Sequence, residues 1–321
     1  MSTEPPAAAD DAGAESTAPV CVLSFNAADA SGASGIACDV ATLSAMGAHA
    51  MPVTTSIVVR DSAEVFDRHD LDADVVVEQA RTVLEDITIS GWKVGFLGNA
   101  ETVSAVAEIL ADYPDVPLVS YLPNLGWMDE DDSQPYLESF RDLILPSTEV
   151  LVGSHKALID FLLPDWDSER PASPRELAVA AGEKGTRFVL VTGIMLPAKG
   201  TQLFIDNVLA SPQGALTGEK FEMFDTAFVG AGDTLSAALA ALLASGAELQ
   251  AAVGEALQFM DQALDSGFRP GMGGVVPDRF FWAVPPPEEE EGATPSPGGA
   301  PLVPEPPPDQ GKGKGGPRRV H

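Results

Sequence analysis

The sequence predicts one α/β domain: a mostly parallel central sheet with helices on both faces. Two observations carry this. Short apolar, β-branched runs that stop at Gly or polar residues alternate with stretches whose apolar residues recur at helical spacing. No internal repeat competes with that alternation, and strands separated by helices pair in parallel, with ligands beyond their carboxyl ends.

Taken in order, CVLSF (21–25) has the look of a buried strand, and Ile36 to Met46 carries helical spacing. MPVTTSIVV (51–59) is strand-like, Ala73 to Ile87 helical, and WKVGFLG (92–98) a strand ending in Gly. ETVSAVAEILADY (101–113) is helical, with Thr102 as its expected cap. VPLVSYL (116–122), EVLVGS (149–154) and RFVLVTG (187–193) complete the expected strands. Residues 1–18 and 285–321 are Pro-, Gly-, Ala- and acid-rich, so disordered tails are expected on either side of a domain over 19–284.

Of 321 residues, 48 are acidic and 18 basic, a formal net charge of −30 that disfavours nucleic acid and anionic membrane as partners. A phosphate-bearing ligand would then need backbone amides, a metal ion or a locally basic pocket. Cys21 and Cys38 form no disulfide framework, and four scattered histidines make no zinc pattern. With neither a signal peptide nor a membrane-length apolar run, the chain is expected to be soluble and cytoplasmic.

The chemistry concentrates in FVGAGDTLSAALAALL (228–243). Leu235, Leu239, Leu242 and Leu243 recur at helical spacing, so Gly230, Ala231 and Gly232 lie where a helix begins. Unpaired amides and the positive end of the helix dipole make such a turn an anion site, and small residues let a phosphate approach the backbone. Asp233 then has two readings: a base that takes the proton of an attacking alcohol, or a helix cap.

GAGDT opening a small-residue helix resembles the ribokinase-type kinases, and SFNAADASGASGIACDVATLSAMGAHAMPVTTSI (24–57) resembles the start of the hydroxymethylpyrimidine/phosphomethylpyrimidine kinases. Asp29, Ser31, Gly32, Gly35, Ile36, Asp39, Thr42, Ser44, Ala45 and Gly47 fall in register. KVGFLGNAETVSAVAEIL (93–110), RFVLVTG, GAGDT and GMGG (271–274) follow in the family's order, so the likeness spans about residues 20 to 283. It implies a ribokinase-like fold, a homodimer, and use of ATP with Mg²⁺. The implied reaction phosphorylates the hydroxymethyl group of 4-amino-5-hydroxymethyl-2-methylpyrimidine, and then its monophosphate, for thiamine synthesis. By position, Ala28, Asp29, Ser34, Gly35 and Arg60 would line the substrate side and Thr192 and Gly193 the nucleotide side. Gly230, Ala231, Gly232 and Thr234 would hold the ATP phosphates, Asp233 would be the base, and no protein metal ligand is assigned.

Several chemical positions depart from the family pattern. Asp233 replaces the Cys of HGTGC, and Arg60 stands at the Gln of TAQNT. Tyr121 occupies the Asp of DPVM, Ser154 and Ala157 the Asn and Glu of TPNxxE, and Thr192 the Lys of VKGG, with Lys156 or Lys199 as candidate replacements. These changes weaken the handling of metal and keep two alternatives open: a pyridoxal-type vitamin kinase, and a non-catalytic ligand-binding paralogue.

Overall fold

The computed structural model describes residues 18–198 and 200–283, so both expected tails, save Ala18, and Lys199 lie outside the described residues. Nine strands form one sheet: β1 (Cys21–Asp29), β2 (His49–Arg60), β3 (Val65–Asp70), β4 (Gly91–Val94), β5 (Leu118–Tyr121), β6 (Val150–Ser154), β7 (Phe188–Met195), β8 (Phe204–Ser211) and β9 (Gly214–Glu222). Their order is β3-β2-β1-β4-β5-β6-β7-β8-β9. The six strands from β2 to β7 in that order pair in parallel, while β3, β8 and β9 pair antiparallel at the two edges.

The helices are α1 (Gly35–Ala45), α2 (Ala73–Leu84), α3 (Ala100–Ala111), α4 (Glu130–Ser139), α5 (His155–Leu162), α6 (Pro174–Gly182), α7 (Ala231–Ala244) and α8 (Leu249–Asp265). They cover both faces. Val76, Val106, Tyr136, Phe161 and Leu177, from α2 to α6, pack with Leu23, Phe25, Trp92, Val94, Leu151 and Val189 on one face. Leu43 of α1, Leu239 of α7 and Val253 of α8 pack with Val22, Val119, Val150, Val152 and Leu190 on the other. Alternate strand residues therefore enter opposite cores, the period-2 rule of a doubly covered sheet. Burial of each large side chain, such as Trp92 or Phe25, contributes roughly 1.5–3 kcal/mol.

Two sequence expectations need correction. Helix α3 starts at Ala100, one residue before the expected stretch, because Asn99, not Thr102, is its cap: the Asn99 side chain accepts from the Thr102 amide at 2.9 Å. Residues 95–98 leave the sheet after β4, since Gly98 adopts φ +89 and the Asn26 side chain accepts the Phe96 amide. The antiparallel strands β3, β8 and β9 escape apolar-run reasoning: the edge strands β3 and β9 are half exposed and carry residues such as Asp67, Arg68, Glu219 and Lys220, and the more buried β8 is interrupted by Asp206 and Asn207.

Candidate active site

On β1 and β4 the residues facing the α1 and α7 layer run from apolar to polar toward the carboxyl ends. Val22 enters the core there, then Ser24 and Asn26; on β4 that face holds Lys93. Beside Lys93 on the sheet, Tyr121 of β5 faces the same way. Two carboxylates come down onto this polar stripe, Asp39 from α1 and Asp233 from the first turn of α7.

Lys93 is fully buried, and its Nζ lies 2.7 Å from Asp233 Oδ1 and 2.8 Å from Asp39 Oδ1. Asn26 Nδ2 donates to both carboxylates, at 2.8 Å to Asp233 Oδ1 and 2.9 Å to Asp39 Oδ2. Ser24 Oγ donates to Asp39 Oδ2 at 2.7 Å, and the Gly35 amide donates to Asp233 Oδ2 at 3.1 Å. Burial alone would raise the Asp233 pKa, but the Lys93 ammonium and these donors overcome it and hold the carboxyl below its ordinary value. Burial pushes Asp39 the other way, with Lys93 only partly offsetting it and Asp233 adding to the rise. The same desolvation works against the Lys93 charge, yet the two carboxylates raise its pKa. Asp233 is therefore not a helix cap. Its side chain points into the sheet, and the N-cap position belongs to Gly230.

Gly230 is there for a conformational reason. Its φ is +81, and a Cβ would lie 1.7 Å from the Ala33 carbonyl oxygen. Gly232 is there for space, since its Cβ would lie 2.3 Å from the Tyr121 ring. Thr234 N donates to Gly230 O at 2.9 Å, so the amides of Ala231, Gly232 and Asp233 precede the first helical hydrogen bond. The turn is anchored by Arg279, a buried residue that sequence reasoning missed. Its guanidinium donates to Thr234 Oγ1 at 3.1 Å, to Gly32 O at 3.3 Å and to Ala33 O at 2.6 Å. It thereby ties the anion turn to the loop between β1 and α1.

These elements border a cavity of about 960 Å³ at the carboxyl edge of the sheet. Its lining includes Asp29, Ser34, Gly35, Arg60, Thr192, Gly193, Gly230, Ala231, Gly232 and Asp233, so ten of the twelve expected site residues converge on it. Ala28 and Thr234 do not line it: Ala27 takes the first place, and the Thr234 hydroxyl donates back to Gly230 O. Asn26 and Tyr121 line the cavity beside Asp233, and Phe96, Leu125 and Trp127 add apolar walls. Val152, Ile205, Asn207, Leu257 and Met260 line it as well, a largely apolar group suited to a planar ring such as adenine.

The positions that depart from the family pattern have structural occupations. The Ser154 side chain caps α5 by accepting the Ala157 amide at 3.3 Å. Thr192 Oγ1 donates to Gly153 O, and the Gly193 amide donates to Asn207 Oδ1. Burial pushes the Tyr121 phenol up, with Asp233 and Cys38 adding to it, so the ring stays neutral beside Lys93, whose Nζ is 5.8 Å from its centroid. Lys156 pairs with Asp160 on the surface and does not replace the missing cavity lysine. Among the described residues no three His, Cys, Asp or Glu side chains cluster as metal ligands, and the one carboxylate at the anion turn is engaged by Lys93. This donor set does not fit a Mg²⁺ held by the protein itself.

Lys93, Asp39 and Asn26 each left a sequence signal: a lysine inside an apolar strand, an acid on the apolar phase of a helix, and an amide ending a buried strand. Each signal is weak alone. Their juxtaposition depends on three elements that pack only in the folded chain.

Known proteins share this architecture. The family model described as phosphomethylpyrimidine kinase matches residues 29–278. A hydroxymethylpyrimidine/phosphomethylpyrimidine kinase of Streptomyces coelicolor is 31% identical over 269 residues, covering 83% of this chain and 96% of that protein. Its namesake from Mycobacterium leprae is 29% identical, covering 80% and 92%. Among solved structures, Bacillus subtilis pyridoxal kinase in an ADP complex superposes with a TM-score of 0.71 at 22% identity, covering 83% of this chain and all of that one. Clostridium difficile phosphomethylpyrimidine kinase superposes with a TM-score of 0.60, also at 22% identity, covering 75% and 99%.

Proposed function

The chain belongs to the phosphomethylpyrimidine kinase family of ATP-dependent kinases, and we propose that it phosphorylates the hydroxymethyl group of 4-amino-5-hydroxymethyl-2-methylpyrimidine, with Asp233 as general base, and then the phosphate of the resulting monophosphate. The carrying observation is the placement of the Asp233 carboxylate on the cavity wall at a glycine turn that opens a helix. Asp233 Oδ2 accepts one amide, from Gly35, which leaves lone-pair capacity for a substrate hydroxyl. Lys93 and Asn26 hold the carboxylate ionised and aimed. ATP, when bound, supplies the transferred phosphoryl group. Asp233 takes the hydroxyl proton as the alcohol oxygen bonds to the γ-phosphorus and the bond from that phosphorus to the departing ADP oxygen breaks, and the amides of Ala231 and Gly232 at the helix N-terminus stabilise the charge on the phosphoryl oxygens. Magnesium would take its ligands from the ATP phosphates and water.

A pyridoxal-type kinase is the second reading. Arg60 on the cavity wall favours it, because a guanidinium cannot accept a hydrogen bond from an aminopyrimidine. A cytoplasmic homodimer is part of the proposal, and a monomeric mass at micromolar concentration would contradict the dimer. The deciding assay is ADP release by the full chain with Mg-ATP, offering hydroxymethylpyrimidine, its monophosphate and pyridoxal in parallel. Turnover that Asp233→Asn lowers by about 10²–10⁴-fold supports the base role. Saturable ligand binding without any ADP release would identify a non-catalytic protein.

A further inference from the structure

The side chain of Arg60 ends β2 facing the cavity, and it is largely buried, 13% exposed. Its surroundings fix it in place. Nε donates to Asp61 O at 3.0 Å and Nη1 to Ser34 Oγ at 3.3 Å. The turn that follows is capped by the Asp61 carboxylate, which accepts the amides of Ala63 and Glu64. The GMGG segment then locks that turn from outside. The Gly273 amide donates to Ser62 Oγ and the Gly274 amide to Ser62 O, and a Cβ at Gly273 would lie 2.2 Å from the Ser62 backbone. Arg60 is thus presented to the cavity by two chain segments that meet only here.

Its charge is only loosely paired. Asp29 Oδ2 lies 3.9 Å from Nε, an ion pair beyond hydrogen-bond reach, and the adjacent Asp61 carboxylate accepts the Ala63 and Glu64 amides. Asp29 is already engaged, with Oδ1 accepting the Ser31 amide and hydroxyl and Oδ2 the Ser34 amide and hydroxyl. Asn26 is used up as well: Nδ2 donates to the two buried carboxylates, and Oδ1 accepts the amides of Ala27 and Phe96. The hydrogen bonds of Arg60 engage its Nε and Nη1, so Nη2 keeps spare capacity, and that capacity is purely donating.

We infer that Arg60 is the specificity-determining residue of the cavity, selecting a substrate that carries an anionic oxygen over the neutral aminopyrimidine alcohol. The inference rests on the kinase reading for the word substrate, although the selection itself is a property of binding. A guanidinium fixed in advance loses little entropy on binding, and a charge-assisted hydrogen bond in a half-desolvated corner is among the stronger polar contacts. A ring amino group set against the same guanidinium would face donor with donor. Two ligands carry the required anionic oxygen: pyridoxal, through its phenolate, and hydroxymethylpyrimidine monophosphate, provided that its phosphate and not its amino group meets Arg60.

The test is equilibrium binding to the full chain, followed by the fluorescence of the cavity residue Trp127 or by calorimetry. Neutral hydroxymethylpyrimidine, its monophosphate and pyridoxal are the probes, with KM and kcat measured in parallel wherever ADP is released. At least one anionic probe is expected to bind about tenfold or more tightly than the neutral one. Arg60→Gln is expected to raise the Kd of that probe roughly 10- to 100-fold, to leave the neutral probe unchanged or tighter, and to move KM rather than kcat. Arg60→Lys keeps the charge and should recover part of the loss. Which probe responds identifies the oxygen that is read. A Kd shift common to all three probes, no shift in any, or saturable binding of none of them overturns the inference. Absence of ADP release alongside the expected Kd pattern would sink the kinase reading and leave this one standing.

Discussion

Lys93 Nζ lies between two carboxylates, 2.7 Å from Asp233 Oδ1 and 2.8 Å from Asp39 Oδ1, on a buried polar stripe that Lys93 shares with Ser24 and Asn26. Taking one ammonium and two carboxylates out of water is costly, and only their mutual pairing and the donors of Asn26 and Ser24 offset it. Lys93→Met removes the ammonium and leaves two like charges facing each other. It is expected to destabilise the fold by about 3–5 kcal/mol. Adding Asp39→Asn should recover part of that loss, because the repulsion disappears with the second carboxylate. Urea unfolding midpoints of the single and double variants check this. Additive losses would show that the pair is not coupled.

The pH dependence follows from the same cluster. Burial opposes ionisation of Asp233, but Lys93, Gly35 N and Asn26 hold its folded pKa below the unfolded value of about 3.9. Its contribution to stability is therefore present above the unfolded pKa and lost as pH falls through the lowered folded one. As a base it stays ionised across the neutral range. The acid limb of kcat/KM is expected below the ordinary carboxylate range, and Lys93→Gln should move it upward. An acid limb in the wild type near pH 6 would rule Asp233 out as the titrating base.

Gly232 and Tyr121 are matched in volume, since a Cβ at Gly232 would meet the Tyr121 ring at 2.3 Å. Gly232→Ala must push the ring away or distort the turn, and overpacking of this kind typically costs about 1–3 kcal/mol. It should also lower activity. Tyr121→Ala in the same chain is expected to restore stability and part of the activity, because it removes the clashing ring. Gly230→Ala should not be rescued that way, because its neighbour at 1.7 Å is the Ala33 backbone and its φ is +81. Thermal melts and ADP release on the four variants test both statements.

Arg279 binds three acceptors, two of them carbonyls of the loop between β1 and α1 and the third the Thr234 hydroxyl. Arg279→Met leaves those buried acceptors without donors, at about 1–3 kcal/mol for each group left unsatisfied. Hydrogen exchange is expected to speed up at residues 31–34 and at the start of α7, with kcat/KM falling. Unchanged exchange at both places would mean that the guanidinium anchors neither.

Much of the domain was readable from the chain before folding. Continuous apolar, β-branched runs and Gly-ended strands specify the six parallel strands because a doubly covered strand must be apolar on both sides. The GAGD turn is legible for a similar reason, since a glycine-flanked entry to an apolar helix has few uses. The antiparallel strands are not, because β8 owes its place to pairing with β7, and β9 to pairing with β8, rather than to their own composition.

The linear order also names the Asp at position 233, the Arg at 60 and the family to which both belong. It says nothing of what holds them. Whether Asp233 caps its helix or faces inward depends on Lys93, 140 residues away, and on Asn26, 207 residues away. Whether Arg60 meets a carboxylate or a ligand depends on Asp29 having spent its oxygens on two serines. Local pattern can fix an element, because its energetics are local. The ionisation and free capacity of a buried side chain are set by neighbours from distant parts of the chain, and those meet only when the sheet and its helices have packed.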